Sequence, residues 1–251
     1  MHLPIVNWGM RALTQTIYAR LAWNPEEDVD QSMKDYFVSR YKGFADVMEQ
    51  AYGLIENAWR KCSSWRSWSQ HNILQNLLAW NGERPIKPLD TEYHFSNSDD
   101  IEISGRQSIE SLKRAMGIIN KARSTYRKKI QKECCTKLFP SAVNPVEQQK
   151  QSTDHLEYYL NEDRRLLIYG IDTMSLMTEM TAYYNALLFG NSQKAEIAWK
   201  RIEALENKMS GYYLPLTFDN PNVGLISKDA LTRTQLHDVI FRCRCNRDRK
   251  N

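Results

Sequence analysis

Glycine and proline are scarce in this chain, 10 and 8 among 251 residues. Strands joined by tight turns need those residues at short intervals, so the scarcity argues against a sheet and for a few long helices. Cysteine is also sparse, five residues at Cys62, Cys134, Cys135, Cys243 and Cys245. An odd count at irregular positions argues against a disulfide framework, and free thiols are expected. Cys243 and Cys245 are too close for a usual zinc half-site, while Cys134 and Cys135 adjoin, so no metal and no cofactor is expected. No apolar run approaches the ~20 residues that cross a bilayer. MHLPIVNWGMRALTQ lacks the basic start, apolar block and cleavage site of a secretory signal. Absent too are a glycine-rich phosphate loop, a His-Glu-x-x-His zinc motif and a Gly-x-Ser-x-Gly elbow. A net charge of +4 is small for this length and does not by itself mark a nucleic-acid binder.

What is present is helical periodicity. A hydrophobic content of 42% with 25% charged residues is enough for a core. The spacing predicts a first helix from Trp8 to Ala22 and a second from Pro25 to Tyr41, capped by Asn24 with Glu27 returning to it. A third covers Gly43 to Lys61, where Met48, Ala51, Tyr52, Ile55 and Ala58 draw an apolar stripe. After a break at Ser63-Ser64, another helix carries Ile73 to Trp80. A helix starting at Ser104 runs to a basic end at Arg123 to Lys132, which fits either a solvated helix end or a nucleic-acid contact. From Asp154 to Phe189, Leu167, Gly170, Met174, Met177, Thr181, Tyr184 and Leu188 alternate by three and four, the seam spacing of antiparallel bundles. Gly190 ends that helix and Ser192 to Tyr212 returns, making an αα-hairpin. A loop then precedes a last helix beginning at Ser227, and RCRCNRDRKN is expected to fray.

The fold class expected is therefore all-α, an antiparallel helical bundle or array with long connecting loops. Three subregions follow: N-terminal helices over 1–80, an irregular loop over 81–103, and a C-terminal bundle over 104–251 holding the long hairpin. Two groups of residues are candidates for contact chemistry. The aromatic faces of Trp65, Trp68, Tyr93 and His94 suit sugar rings, with core packing the alternative. Asp163, Arg164 and Arg165 interrupt an apolar helix and read either as a structural ion-pair network or as an anion-binding clamp. No catalytic residue is singled out, because the histidines are scattered and nothing converges in sequence.

One stretch, YARLAWNPEEDVDQSMKDYFVSRYKGFADVMEQAY, resembles the segment that follows the catalytic barrel in bacterial carbohydrate-active, glycoside-hydrolase-like proteins carrying domain of unknown function 4838. Those proteins are related to family-twenty hexosaminidases and α-glucuronidases. RLLIYG, from Arg165 to Gly170, and GLISKDALTRTQL, from Gly224 to Leu236, resemble the helical remainder of the same proteins. The resemblance implies a non-catalytic C-terminal helical domain that buttresses an upstream barrel and shapes one side of its sugar cleft. Residues 1–80 would then include the last helix of that barrel. The acid and base carboxylates of the parent would lie on that barrel, as barrel enzymes place them, so none is transferred here. The implied partners are the upstream barrel and carbohydrate, with no membrane, and the implied parent is periplasmic or extracellular. The alternative is a stand-alone helical protein-protein interaction module.

Overall fold

The computed structural model describes residues 11–61, 77, 98–136, 155–218 and 240–247. Across the described residues the chain is helical and contains no strand, so the fold is all-α. The order is α1 (Arg11–Trp23), α2 (Val29–Tyr41), a 3-10 turn (Lys42–Phe44), α3 (Ala45–Lys61), α4 (Ser98–Thr136), α5 (His155–Leu188) and α6 (Ser192–Phe218). A short helical stretch follows over 240–247. The helix predicted over Ile73 to Trp80 lies outside the described residues except for Leu77, which is buried. The helix start predicted at Ser227 lies outside them too.

The joint between α1 and α2 is built differently from the sequence expectation. Asn24 does not cap α2. Its backbone carbonyl accepts from the Glu27 N–H at 3.2 Å and its side-chain oxygen from the Glu26 N–H at 3.3 Å. Asn24-Pro25-Glu26-Glu27 is thus a closed turn with proline in the position whose fixed φ suits it. The cap is Asp28, whose carboxylate accepts from Asp30 N–H at 2.9 Å and Gln31 N–H at 3.1 Å. A carboxylate there also complements the positive end of the helix. The returning Glu27 pairs with Arg20 and accepts from the Ser32 hydroxyl, tying the turn to both helices.

Other boundaries move for equally local reasons. α4 begins at Ser98, not Ser104, because serine and aspartate suit helix starts as well as loops. The rest of the loop expected over 81–103 lies outside the described residues. α6 continues through Pro215 to Phe218, beyond the predicted end at Tyr212. The expected αα-hairpin is present. Gly190 adopts φ +67 and ends α5, with the Asn191 N–H donating to the Ala186 carbonyl at 2.8 Å. Asn191 then caps α6 through its side chain on the Lys194 N–H at 3.0 Å. The tail expected to fray is helical over 240–247 and pinned to α6, with Arg244 on Glu206 and Arg247 on Glu196, each at 2.6 Å.

The chain forms two compact units, each made of separate stretches of sequence. Among the described residues, one takes in 57–61, 77, 98–110, 171–218 and 240–247, the other 11–56, 111–136 and 155–170. Helices α3, α4 and α5 each contribute one part to each unit. The first unit has its core in the hairpin, where Met180, Tyr183, Leu187, Ala195, Trp199 and Ile202 bury their side chains together. The 240–247 stretch adds Ile240 and Cys243 to that core. Burial pushes the Cys243 thiol up to about 12, so it stays protonated and packs as a small apolar group. The second unit buries Phe37, Tyr41, Met48, Ile119, Leu160 and Leu167.

Glycine in the α5 seam proves less constrained than its spacing suggests. A Cβ at Gly170 would meet nothing within 4 Å, so no neighbour exploits the gap. The close approach occurs instead at Gly105 of α4, where a Cβ would collide with the hydroxyl of Thr178 on α5. Thr178 cannot simply swing away, since that hydroxyl donates to the Met174 carbonyl at 2.8 Å. Gly105→Ala is expected to cost about 2 kcal/mol in urea denaturation, overpacking outweighing the ~1 kcal/mol gained in helix propensity. Adding Thr178→Ala should recover most of that loss. Lys42 takes φ 51 and ψ −123, a conformation natural only to glycine, so Lys42→Gly should raise stability by roughly 1 kcal/mol in the same assay.

Candidate functional site

Asp163 occupies a seam position of α5, four residues before Leu167 and three after Leu160, and its side chain is fully buried. A carboxylate there must find partners inside the unit or remain neutral. It finds them on two other helices. Tyr41, the last residue of α2, lies 2.5 Å from Oδ2, and Tyr52 of α3 lies 3.1 Å from Oδ1. The two phenol oxygens are 2.9 Å apart. The three groups close a ring of three oxygen–oxygen contacts.

Counting protons shows how each charge state fills that ring: both phenols donate to the ionised carboxylate. With Asp163 ionised, two phenol protons serve three contacts, and one contact sets lone pairs against lone pairs. With Asp163 protonated, the carboxyl donates to Tyr41, Tyr41 to Tyr52 and Tyr52 to the second carboxyl oxygen, so each contact holds one proton. Electrostatics places that protonated state in mildly acid solution. Burial raises the Asp163 carboxyl to about 6, and the Tyr41 hydrogen bond, the Arg40 charge and the Tyr52 hydrogen bond offset only part of that. Burial, and next the Asp163 charge, holds both phenols above their usual range. They are donors at every physiological pH. Tyr36 lies beside them, its hydroxyl buried without a hydrogen-bond partner among the described residues and raised to about 12 by burial.

Arg40 closes the cluster on its outer side. Its Nε donates to the Tyr41 oxygen at 3.1 Å and its Nη2 to Glu162 at 2.7 Å, while Asp163 Oδ1 is 3.9 Å away. The guanidinium lies 3.9 Å from the centre of the Tyr159 ring. Burial works against its charge, but the Tyr41, Tyr36 and Asp163 oxygens outweigh that and hold it above its usual range. The arrangement ties α2, α3 and α5 together through donors and acceptors that face one another. Chemically it holds one proton below about pH 6.

The three charged residues singled out in the sequence face different surroundings. Asp163 points inward to tyrosines, Arg164 donates to Asn120 of α4 at 3.1 Å, and Arg165 is exposed. The cation nearest Asp163 comes from Arg40 instead. Trp65, Trp68, Tyr93 and His94 lie outside the described residues. Sequence reasoning missed the tyrosines because Tyr41 and Tyr52 sit at apolar-stripe positions, where an aromatic reads as packing. The available signal was Asp163 itself, a carboxylate in seam register.

In the first unit, Glu179 of α5 meets Arg106 of α4 at 3.2 Å and Arg201 of α6 at 3.5 Å, and Asp172 meets Lys208 at 2.6 Å. Glu179 and Asp172 are buried, and their cations reach them from partly exposed positions on the neighbouring helices. Among the described residues no group of three His, Cys, Asp or Glu side chains converges to hold a metal ion. No helix among them is long and apolar enough to cross a membrane.

Because the Asp163 carboxyl is raised to about 6 in the fold and is ordinary in the unfolded chain, the folded state binds its proton more tightly. Its stabilisation is fully present below about pH 4 and is lost as pH rises through 6, up to ~3 kcal/mol. Urea midpoints at pH 4.5 and 7.5 should therefore show a pH-dependent loss in the native chain that Asp163→Asn removes. Tyr41→Phe should cost roughly 1–3 kcal/mol by leaving buried acceptors unmet. No protein-family model, no curated protein and no solved structure matches the chain.

Proposed function

We propose that this chain is a non-catalytic helical support domain of a carbohydrate-active, glycoside-hydrolase-like protein, buttressing a barrel and forming one wall of its sugar cleft. The observation that carries the reading is Trp23. It lies in the stretch whose sequence resembles the segment after such barrels, and its side chain is 93% exposed. A whole indole left in water is costly unless a neighbour covers it. The corner that presents it is rigid: Asn24 N–H donates to the Arg20 carbonyl at 2.8 Å, the proline turn follows, and Arg20 pairs with Glu27 and Asp35. A stiff corner bearing one bare aromatic suits a sugar ring or the flank of an adjoining domain.

The buried ring around Asp163 supports the same reading from the opposite side. A carboxylate whose two oxygens are engaged by internal phenols is committed to holding helices. A second reading, a protein-protein interaction module, draws on Phe189 and Ile197 of the hairpin region, which are 68% and 47% exposed. Affinity electrophoresis in gels containing a panel of polysaccharides separates the two. The chain should be retarded by at least one of them, and Trp23→Ala should abolish the retardation while shifting stability by less than about 0.5 kcal/mol. Migration indifferent to every polysaccharide would sink the sugar contact and leave the interaction module.

A further inference from the structure

The sequence from Arg123 to Lys132 carries Arg123, Arg127, Lys128, Lys129 and Lys132 with no acidic residue among them. On α4, most of that row is an ordinary solvated face. Arg123 is different. It is half-buried, and its Nε is fully enclosed without a hydrogen-bond partner among the described residues. Two cross-helix contacts within the second unit fix what lies opposite. Arg127 pairs with Glu157 of α5 at 2.5 Å, and Asn120 accepts from Arg164 Nε at 3.1 Å. The helices therefore run antiparallel here, and Arg123 sits midway between those contacts.

The acids that might have answered these cations are engaged elsewhere. Glu157 is held by Arg127, Glu162 by Arg40, and Asp163 by the tyrosine ring. Burial, and next the Arg127 and Arg164 charges, pushes the Arg123 guanidinium below its usual range, with Arg165 adding to this and Glu157 opposing it. Arg164 spends its Nε on the neutral oxygen of Asn120, which orients the guanidinium but does not neutralise it. Among the described residues, Arg123 and Arg164 are like charges brought together across two helices with no carboxylate in ion-pair contact with either, and Arg123 keeps an unused enclosed donor.

We propose that the surface where α4 faces α5 at Arg123 binds a phosphate- or sulfate-type oxyanion, with Arg123 and Arg164 donating to it through their outer N–H groups and Arg165 supplying further positive field. A tetrahedral dianion accepts several charge-assisted hydrogen bonds at once and matches the forked donors of arginine. A single compact anion is favoured over an extended polyanion because Arg123 and Arg164 are partly covered where the two helices face each other, whereas the lysines beyond them lie open to solvent. The site is independent of the support role proposed above and needs no sugar.

The test uses the full chain with inorganic phosphate and, separately, inorganic sulfate, titrated calorimetrically at constant ionic strength balanced with chloride. Saturable binding should appear with at least one anion, together with a rise in Tm that chloride does not produce. The arm that binds more tightly identifies the source chemistry. Arg123→Gln and Arg164→Gln should each weaken binding about tenfold or more, the loss of one or two charge-assisted hydrogen bonds. Lys34→Gln, on the exposed face of α2, should leave it unchanged. In the absence of anion, Arg123→Gln should keep or raise Tm, because it removes repulsion, which a merely structural role would not do. Equal response to chloride, or full binding by both arginine variants, would overturn the proposal. So would an oligonucleotide that binds with a steep salt dependence and is not displaced by phosphate, since that marks an extended polyanion track.

Discussion

Burying a carboxylate in an apolar seam is the constraint that orders the second unit. Asp163 cannot be left to water, so a hydroxyl must reach it from each of two other helices, and it does so from Tyr41 and Tyr52. That requirement fixes the end of α2, the rotation of α3 and the register of α5 at one point. Apolar contacts such as those of Phe37, Met48 and Leu160 are tolerant of small rotations, whereas oxygen–oxygen contacts near 3 Å are not. Hydrophobic burial drives the helices together, and the polar ring selects one arrangement among those that would bury similar area. Arg40 adds a cation whose partners are the ring on one side and Glu162 on the other.

The same logic explains why a strongly perturbed carboxyl need not mark a reaction centre. Perturbed groups concentrate at active sites, but structural networks perturb them too. Here both carboxyl oxygens face phenols of the same unit, and the proton they share has a donor and acceptor at each step around the ring. The first unit uses ion pairs instead. Glu179 with Arg106 and Arg201, and Asp172 with Lys208, join buried carboxylates to partly exposed cations, so removing a cation would leave a buried acid unmet. Its specificity comes from the hairpin core and from the contact of Gly105 with Thr178.

Legibility of these features in the sequence follows their range. Helices α1, α2, α3 and α5 lie close to where periodicity puts them, and Gly190 stops α5 as its type suggests. Errors arose where one residue type serves two purposes. Asn24 makes a turn rather than a cap, because the proline after it completes a closed turn and Asp28 stands ready four residues on. Ser98, which read as loop, opens a helix. Gly170 lies in the seam register yet meets no neighbour, while Gly105, outside any notable pattern, takes the close contact.

Helix existence, the apolar face of each helix, the hairpin stop and the presence of an awkward acid at position 163 were determined by the sequence by itself. Each depends on residues within one or two turns of one another, so local spacing encodes them. Only the tertiary structure decided who answers that acid and which cations are left unanswered. Tyr41 and Asp163 are 122 residues apart, and Arg20 reaches Asp35 while Arg164 turns to Asn120. Pairings across such separations depend on how whole helices rotate and slide against one another, and spacing along one helix carries no record of that.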